Sequence, residues 1–239
     1  MASPRAETKP AATLIIPAYN EERGLEALLP QLAAERIVGL EVIVIDDGST
    51  DGSAVVAEKH GARLIAHSDN RGKGAAVQTG LAAAGGSQIV VMDADDTYPA
   101  HAIAALLELL ETHDHVRGIR SVGRANIPPL NRLGNALISS AVAVVSGVRS
   151  ADPLTGLYAL HATDLRRMRL TSRGFGLETE IAIKSARMKL RTADHPIRYG
   201  PRQGHSKLSP LRDGMVILGT ILSLAWAGMR SRSKFPQAD

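Results

Sequence analysis

The chain has 239 residues and no cysteine. That excludes a disulfide framework and any thiolate metal site, and it suits a reducing compartment. Aromatic residues are scarce, with one Trp, four Tyr and two Phe. So few rings, and no nucleic-acid motif, leave little for base stacking, and nucleic acid is not expected as a partner. No Gly-x-Gly-x-x-Gly follows the first apolar run, and Gly72-Lys73-Gly74 lacks the rest of a Gly-x-x-x-x-Gly-Lys-Ser/Thr phosphate loop. These gaps count against nicotinamide-dependent and ATP-hydrolysing enzymes. Met1 to Ala12 is polar and Pro/Ala-rich without an apolar run, so it reads as a disordered tail and not as a signal peptide.

Charge is present but unevenly placed. The net +4 divides into 17 Lys/Arg against 21 Asp/Glu in residues 1–180, and 11 against 3 in residues 181–239. A basic C-terminal quarter suits an anionic partner such as phosphate or an acidic membrane surface.

The first half alternates buried-strand runs with helical spacing. Thr13–Pro17, Glu41–Asp46, Ala62–His67 and Ile89–Asp93 read as strands. Residues 22–36, the segment fed by the 47–52 turn with Thr50 or Asp51 as cap, 73–84 and 100–112 read as helices. That alternation predicts an α/β domain with a mostly parallel central sheet and helices on both faces. Ligands of such sheets bind beyond the carboxyl ends of the strands. Three of the four strands end there in polar clusters: Pro17-Ala18-Tyr19-Asn20-Glu21, Asp46-Asp47-Gly48-Ser49 and Asp93-Ala94-Asp95. Asp93 and Asp95, spaced i and i+2, fall on one side of an extended chain. Two such carboxylates repel unless a cation lies between them, and Mg²⁺ or Mn²⁺ suits oxygen ligands next to phosphate.

After residue 113 the alternation weakens. Residues 129–147 and 177–189 read as helices, and 158–161 and 191–199 as strands. His113 and His115 read as solvated, in a polar turn. Met215 to Met229 is fifteen residues without a charge, followed by Arg230, Arg232 and Lys234. At about 1.5 Å per residue it is too short for a hydrocarbon core of ~30 Å. It reads either as an amphipathic helix in a membrane interface or as a helix packed on the domain, with the basic flank favouring the membrane.

In order, Pro17-Ala18-Tyr19-Asn20-Glu21, Asp46-Asp47-Gly48-Ser49-Thr50-Asp51-Gly52, Asn70-Arg71-Gly72-Lys73-Gly74 and Asp93-Ala94-Asp95 resemble glycosyltransferase family 2. Asp152–Gly156, Gly176–Glu180 and Arg202-x-Gly204-x-Ser206-Lys207 are similar to its polyprenyl-phosphate (dolichyl-phosphate) mannose and glucose synthase branch. The resemblance implies a GT-A fold over residues 13–210, with 211–239 as a basic amphipathic appendage. It implies an inverting hexose transfer from GDP-mannose or UDP-glucose to a polyprenyl phosphate, at the cytoplasmic face of a membrane. A separate membrane protein is a possible partner, since this branch often carries C-terminal transmembrane helices. Pro17, Tyr19 and Glu21 would line the nucleotide pocket, and Ile45 and Asp47 would hold base or ribose. Asp93 and Asp95 would hold Mg²⁺ or Mn²⁺, with the Ala94 backbone nearby. Arg120, Arg202 and Lys207 would lie around phosphates, with Arg132 and Asn135 as weaker acceptor-side candidates. Relatives often place a Gln two residues after the Asp-Ala-Asp, where this chain has Thr97, which leaves the third metal ligand open. An alcohol acceptor would instead need a base, for which Asp152, Glu178 or Glu180 are the candidates. A non-catalytic nucleotide-binding scaffold is the remaining alternative, against which the intact Asp93/Asp95 pair argues.

Overall fold

The computed structural model describes residues 9–123, 127, 129–148, 152–203 and 210–233. In chain order the first half runs β1 (Ala12–Ala18), α1 (Glu22–Glu35), β2 (Leu40–Asp46), α2 (Ser53–Lys59), β3 (Arg63–Ala66), α3 (Lys73–Ala83), β4 (Gln88–Met92) and α4 (Ala102–Leu109). The second half runs β5 (His115–Val122), α5 (Pro129–Ser146), β6 (Leu157–His161), α6 (Ala162–Arg167), α7 (Leu177–Arg187), β7 (Thr192–Arg198) and α8 (Pro210–Ser233). One sheet has the order β3-β2-β1-β4-β6-β5-β7. Among the described strands only β6 runs against its neighbours, pairing antiparallel with both β4 and β5.

The apolar strand runs are continuous because both sheet faces are covered. Side chains alternate between faces. Leu14, Ile16, Val44, Val90 and Met92 pack beneath Leu25, Leu28 and Leu32 of α1 and Ile103 and Leu106 of α4. Ile15, Ile43, Ile45, Ile89 and Val91 face Ala76, Val77 and Leu81 of α3 and Leu177 and Ile181 of α7. A third cluster joins Val142 of α5, Ala182 and Ile183 of α7, and Ile217 and Ile221 of α8.

The order places a topological switch between β1 and β4. From β1 the chain moves outward to β2 and β3, then returns to lay β4 on the other side. β1 pairs with β2 up to Ala18↔Asp46, whereas its pairing with β4 stops at Ile15↔Val91. The carboxyl ends of β1 and β4 therefore part, which opens a crevice where doubly wound sheets bind ligands. Pro17 sits where β4 has already left, so its missing N–H costs no ladder bond on that side.

Several expectations need correction. Gly52, and not Thr50 or Asp51, holds the cap position of α2, although Asp51 Oδ1 does accept the Ser53 N–H at 3.0 Å. β4 ends one residue early, at Met92, and the chain bends through residues 94–96 with Asp96 at φ 59°. β5 and α6 were not apparent as elements. His115 is not solvated: it opens β5, is 2% exposed, and its Nδ1 lies 2.9 Å from Ser185 Oγ of α7.

Burial, with the Arg117 charge adding to it, lowers the His115 pKa from 6.5 to about 3. Between those values the unfolded chain binds a proton that the folded chain refuses. The stability tied to neutral His115 is complete above pH 6.5 and is lost as pH falls toward 3. The loss in unfolding free energy from pH 7 to pH 4.5 is expected to be smaller in His115→Gln by on the order of 2–3 kcal/mol. Urea denaturation at the two pH values checks this.

Candidate nucleotide-sugar and metal site

The crevice is built by three turns that follow β1, β2 and β4. Asn20 Oδ1 accepts the Thr50 N–H at 2.7 Å, and Ser49 Oγ accepts the Asn20 N–H at 2.9 Å. Ser53 Oγ accepts the Glu21 N–H at 2.9 Å. The first two turns are thus tied together before any ligand arrives. Pro17 and Ile45 lie directly opposite each other in the β1–β2 register, so two expected nucleotide-pocket residues are neighbours. Pro17 and Tyr19 are half-buried, while Ile45 is buried.

Asp46 turns into the sheet end and accepts the Ser49 N–H at 3.0 Å. Asp47 is buried, and its carboxylate takes His67 Nδ1 at 2.6 Å and the N–H groups of Arg71 and Gly72 at 3.0 and 2.7 Å. Three of its roughly four acceptor sites are spent on shaping the 67–72 loop.

Asp93 and Asp95 come close through a turn and not, as the spacing suggested, along an extended strand. Gly24 of α1 makes room for that turn, since a Cβ there would lie 2.2 Å from the Ala94 carbonyl oxygen. Ala94 itself is buried. The two carboxylates have separate cation partners. Asp93 continues the strand register toward α3 and α7, and its Oδ1 lies 2.6 Å from Lys73 Nζ. The same ammonium lies 2.6 Å from Glu178 Oε1 at the start of α7. Asp95 Oδ1 accepts the Thr97 hydroxyl at 2.6 Å, and its Oδ2 takes Arg202 Nη1 at 2.6 Å. Arg202 Nη2 also pairs with Glu21. The Thr97 O–H donor is therefore committed to Asp95, which it orients.

Burial raises the Asp95 pKa and the Asp93 charge adds to it, while Arg202 and Thr97 pull it down. Burial raises Glu178 likewise, against the pull of Lys73. Burial alone would lower the Lys73 pKa, but Asp93 and Glu178 outweigh it and hold the ammonium well above its usual range. Among the described residues, Glu21, Asp93, Asp95 and Glu178 pair with two cations, Lys73 and Arg202. No group of three or more His, Cys, Asp or Glu converges on a metal position among the described residues. The Asp93 and Asp95 carboxylates at the crevice fit a hard divalent ion that completes its shell with water and phosphate.

Arg120 is buried behind this cluster. Its Nε and Nη2 each reach a different oxygen of Asp152 at 2.6 Å, and its guanidinium lies 5.4 Å from the Tyr199 ring centre. Burial opposes the Arg120 charge, yet Tyr98 and Asp152 hold its pKa above the usual value. Glu180 accepts from the Thr171 and Ser172 N–H groups and pairs with Lys184, so it fixes the 171–172 loop and does not face the crevice as a base. Arg132 is exposed on α5 and Asn135 is half-buried there. Lys207, with Gly204 and Ser206, lies outside the described residues.

Lys73 is the residue that motif reading missed. Judged against a phosphate loop, Gly72-Lys73-Gly74 fails, and only the fold shows that its ammonium reaches Asp93. Tyr98 and Tyr199 were also missed; their rings meet edge-on at 5.4 Å, and Tyr98 Oη accepts the Gly156 N–H at 2.7 Å.

The model of glycosyl transferase family 2 matches residues 13–155. The chain belongs to that family. It is 35% identical over 216 residues to Glycosyltransferase AglJ of Haloferax volcanii, covering 88% of this chain and 70% of the relative. It is 32% identical over 214 residues to the dolichyl-phosphate hexose transferase of the same organism, covering 88% and 92%. Among solved structures it is similar to glucosyl-3-phosphoglycerate synthase of Mycobacterium tuberculosis in complex with Mn²⁺, UDP and phosphoglyceric acid. That match has 25% identity and a TM-score of 0.71, over 90% of this chain and 78% of that one. The sheet and its flanking helices are the GT-A fold, and the chain is a glycosyltransferase of the branch that the sequence motifs resemble.

In this glycosyltransferase Gly156 sets the place of Asp93. The three heavy atoms nearest a Cβ at 156 would all belong to the Asp93 carboxyl group, with Oδ2 at 2.0 Å. Gly156→Ala should therefore move a side-chain end and spare the backbone. Mn²⁺ binding in the presence of a nucleoside diphosphate is expected to weaken by about 10–100-fold while the protein still folds. Isothermal titration checks it, and an unchanged affinity would place the ion away from Asp93.

Proposed function

We propose that this enzyme moves a hexose from a nucleotide sugar, GDP-mannose or UDP-glucose, onto a polyprenyl phosphate at a cytoplasmic membrane surface. One observation carries the choice of acceptor. An alcohol needs a base to remove its proton. Asp152, Glu178 and Glu180, the carboxylates that the sequence offers as bases, are each held in an ion pair, with Arg120, Lys73 and Lys184 respectively. A phosphate monoester needs no base, because its second pKa is about 6 and its oxygen is already anionic at neutral pH. The name of the dolichyl-phosphate hexose transferase relative agrees with that acceptor.

The reaction is a single displacement. A phosphate oxygen of the acceptor bonds to the anomeric carbon, the bond from that carbon to the donor diphosphate breaks, and the configuration inverts. Asp93 and Asp95 are the residues that would hold Mg²⁺ or Mn²⁺, which when bound supplies Lewis acidity toward the departing diphosphate. Pro17, Tyr19, Glu21, Ile45 and Asp47 form the crevice wall for the nucleoside. Arg202 and Lys207 supply cationic donors to the diphosphate, Arg as a planar fork and Lys as a point charge. Arg120, fixed by Asp152 and Tyr199, brings a buried positive charge behind the acceptor's approach, so that alignment does most of the remaining work.

The appended helix α8 supports the membrane reading. Ile217 and Ile221 bury one stripe against α5 and α7. Met215, Leu218, Leu222 and Trp226, at helical spacing, form a second stripe that stays exposed, and Leu137 and Val144 of α5 add exposed apolar surface. No helix among the described residues is long and apolar enough to cross a membrane. An exposed apolar stripe beside a basic C-terminal segment fits an interfacial helix on anionic lipid.

The test supplies radiolabelled GDP-mannose or UDP-glucose, polyprenyl phosphate in anionic vesicles, and Mg²⁺ or Mn²⁺. A lipid-extractable product from one donor is expected, reduced at least ~100-fold in Asp95→Ala. In the same assay Leu218→Ser/Leu222→Ser/Trp226→Ser should cut co-sedimentation with vesicles and leave transfer to a detergent-dispersed acceptor intact. Metal-dependent donor hydrolysis without lipid labelling would favour the alcohol acceptor instead.

A further inference from the structure

The two carboxylates of the metal site have cation partners of different kinds. Lys73 belongs to α3, its side chain is 14% exposed, and it is shared between Asp93 and Glu178. It is part of the frame. Arg202 lies outside the sheet and helices, its side chain is 30% exposed, and it reaches across the crevice mouth to Asp95 and Glu21. Its backbone is pinned to the metal turn: the Gly200 N–H donates to the Thr97 carbonyl at 2.8 Å, and the Gln203 N–H donates to the Asp95 carbonyl at 3.1 Å. The side chain can therefore swing while its base stays in place.

Arg202 and a divalent ion need the same atom. Asp95 Oδ1 is engaged by the Thr97 hydroxyl and N–H, so Oδ2 is the oxygen turned toward the crevice, and Oδ2 holds the guanidinium. A guanidinium and a divalent ion on one oxygen repel as like charges. We infer that Arg202 is an exchangeable stand-in cation, which leaves Asp95 when the metal arrives and takes the donor diphosphate as its new partner. The inference rests on the metal and donor reading above and adds an order to it. Metal alone must displace Arg202 and leave it without its Asp95 partner. Metal together with diphosphate displaces it and offers a bidentate anion in exchange. Arg202 also has a donor to spare, since Nε is buried and hydrogen-bonds to nothing among the described residues. Glu21 serves as the pivot, because its contact with Nη2 does not compete with a metal on Asp95. The consequence is a metal site that is weak until the donor comes, which keeps ion and donor binding coupled.

The experiment measures Mn²⁺ affinity of the full chain by electron paramagnetic resonance of the free ion, without nucleotide and with saturating GDP or UDP. It compares wild type with Arg202→Met and Arg202→Lys. Wild type should bind Mn²⁺ weakly alone and at least about 10-fold more tightly with the matching diphosphate. Arg202→Met should bind Mn²⁺ alone several-fold more tightly than wild type and gain much less from the diphosphate, and Arg202→Lys should fall between. If Arg202→Met binds Mn²⁺ alone no better than wild type while diphosphate still tightens binding in both, the stand-in role is overturned and the metal site stands. If neither protein binds Mn²⁺ even with diphosphate, the inference falls together with the reading beneath it. Thermal melts of the three proteins confirm that each is folded.

Discussion

Charge balance at the mouth of the sheet is the constraint on which the site depends. Glu21, Asp93, Asp95 and Glu178 come from two turns and one helix start, and Lys73 and Arg202 tie them together at one crevice. At an effective dielectric of about 20, two like charges about 4 Å apart repel by roughly 4 kcal/mol. That is a large part of the 5–15 kcal/mol by which a domain is typically stable. Lys73 and Arg202 offset part of this repulsion, and the divalent ion proposed above would offset more. The same arrangement that permits folding therefore prepares the chemistry.

The fold makes the convergence possible. β1 and β4 part company after Ile15↔Val91, so the turns beyond them have room to face each other. Small residues then let the pieces approach. Gly24 lets α1 press on the Ala94–Asp95 backbone, and Gly156 leaves space for the Asp93 carboxyl group. Asp152 holds Arg120 through two hydrogen bonds, and the Arg120 guanidinium lies 5.4 Å from the ring of Tyr199, which meets Tyr98 edge-on. The third hydrophobic cluster joins α8 to α5 and α7 and leaves its other stripe outward, so the surface proposed to meet lipid is carried on the catalytic domain itself.

The first half of this architecture was legible because its strands are buried on both faces. Val42-Ile43-Val44-Ile45 and Ile89-Val90-Val91-Met92 have no other good reading, and the polar clusters after them mark one edge of the sheet. β5 was not legible. It carries His115, Arg117 and Arg120 at buried positions, each paired with a distant group, so its pattern lacks an apolar run. His115 looked like a turn residue because its partner, Ser185, lies seventy residues away. The Asp93/Asp95 pair was recognised for an incomplete reason: the two are close because the chain turns after Met92. Lys73 was passed over because its partners sit on β4 and α7, and no local spacing announces them. Charges paired over long range are what a single sequence conceals best.

Asp93 and Asp95 are proposed to seat a divalent ion against the donor diphosphate. Pulsed electron paramagnetic resonance of Mn²⁺ bound with GDP or UDP reads that contact directly. Resolved ³¹P hyperfine coupling is expected in the wild-type complex and should be lost in Asp95→Ala. Mn²⁺ that binds without ³¹P coupling, or coupling that persists in Asp95→Ala, would contradict that proposal.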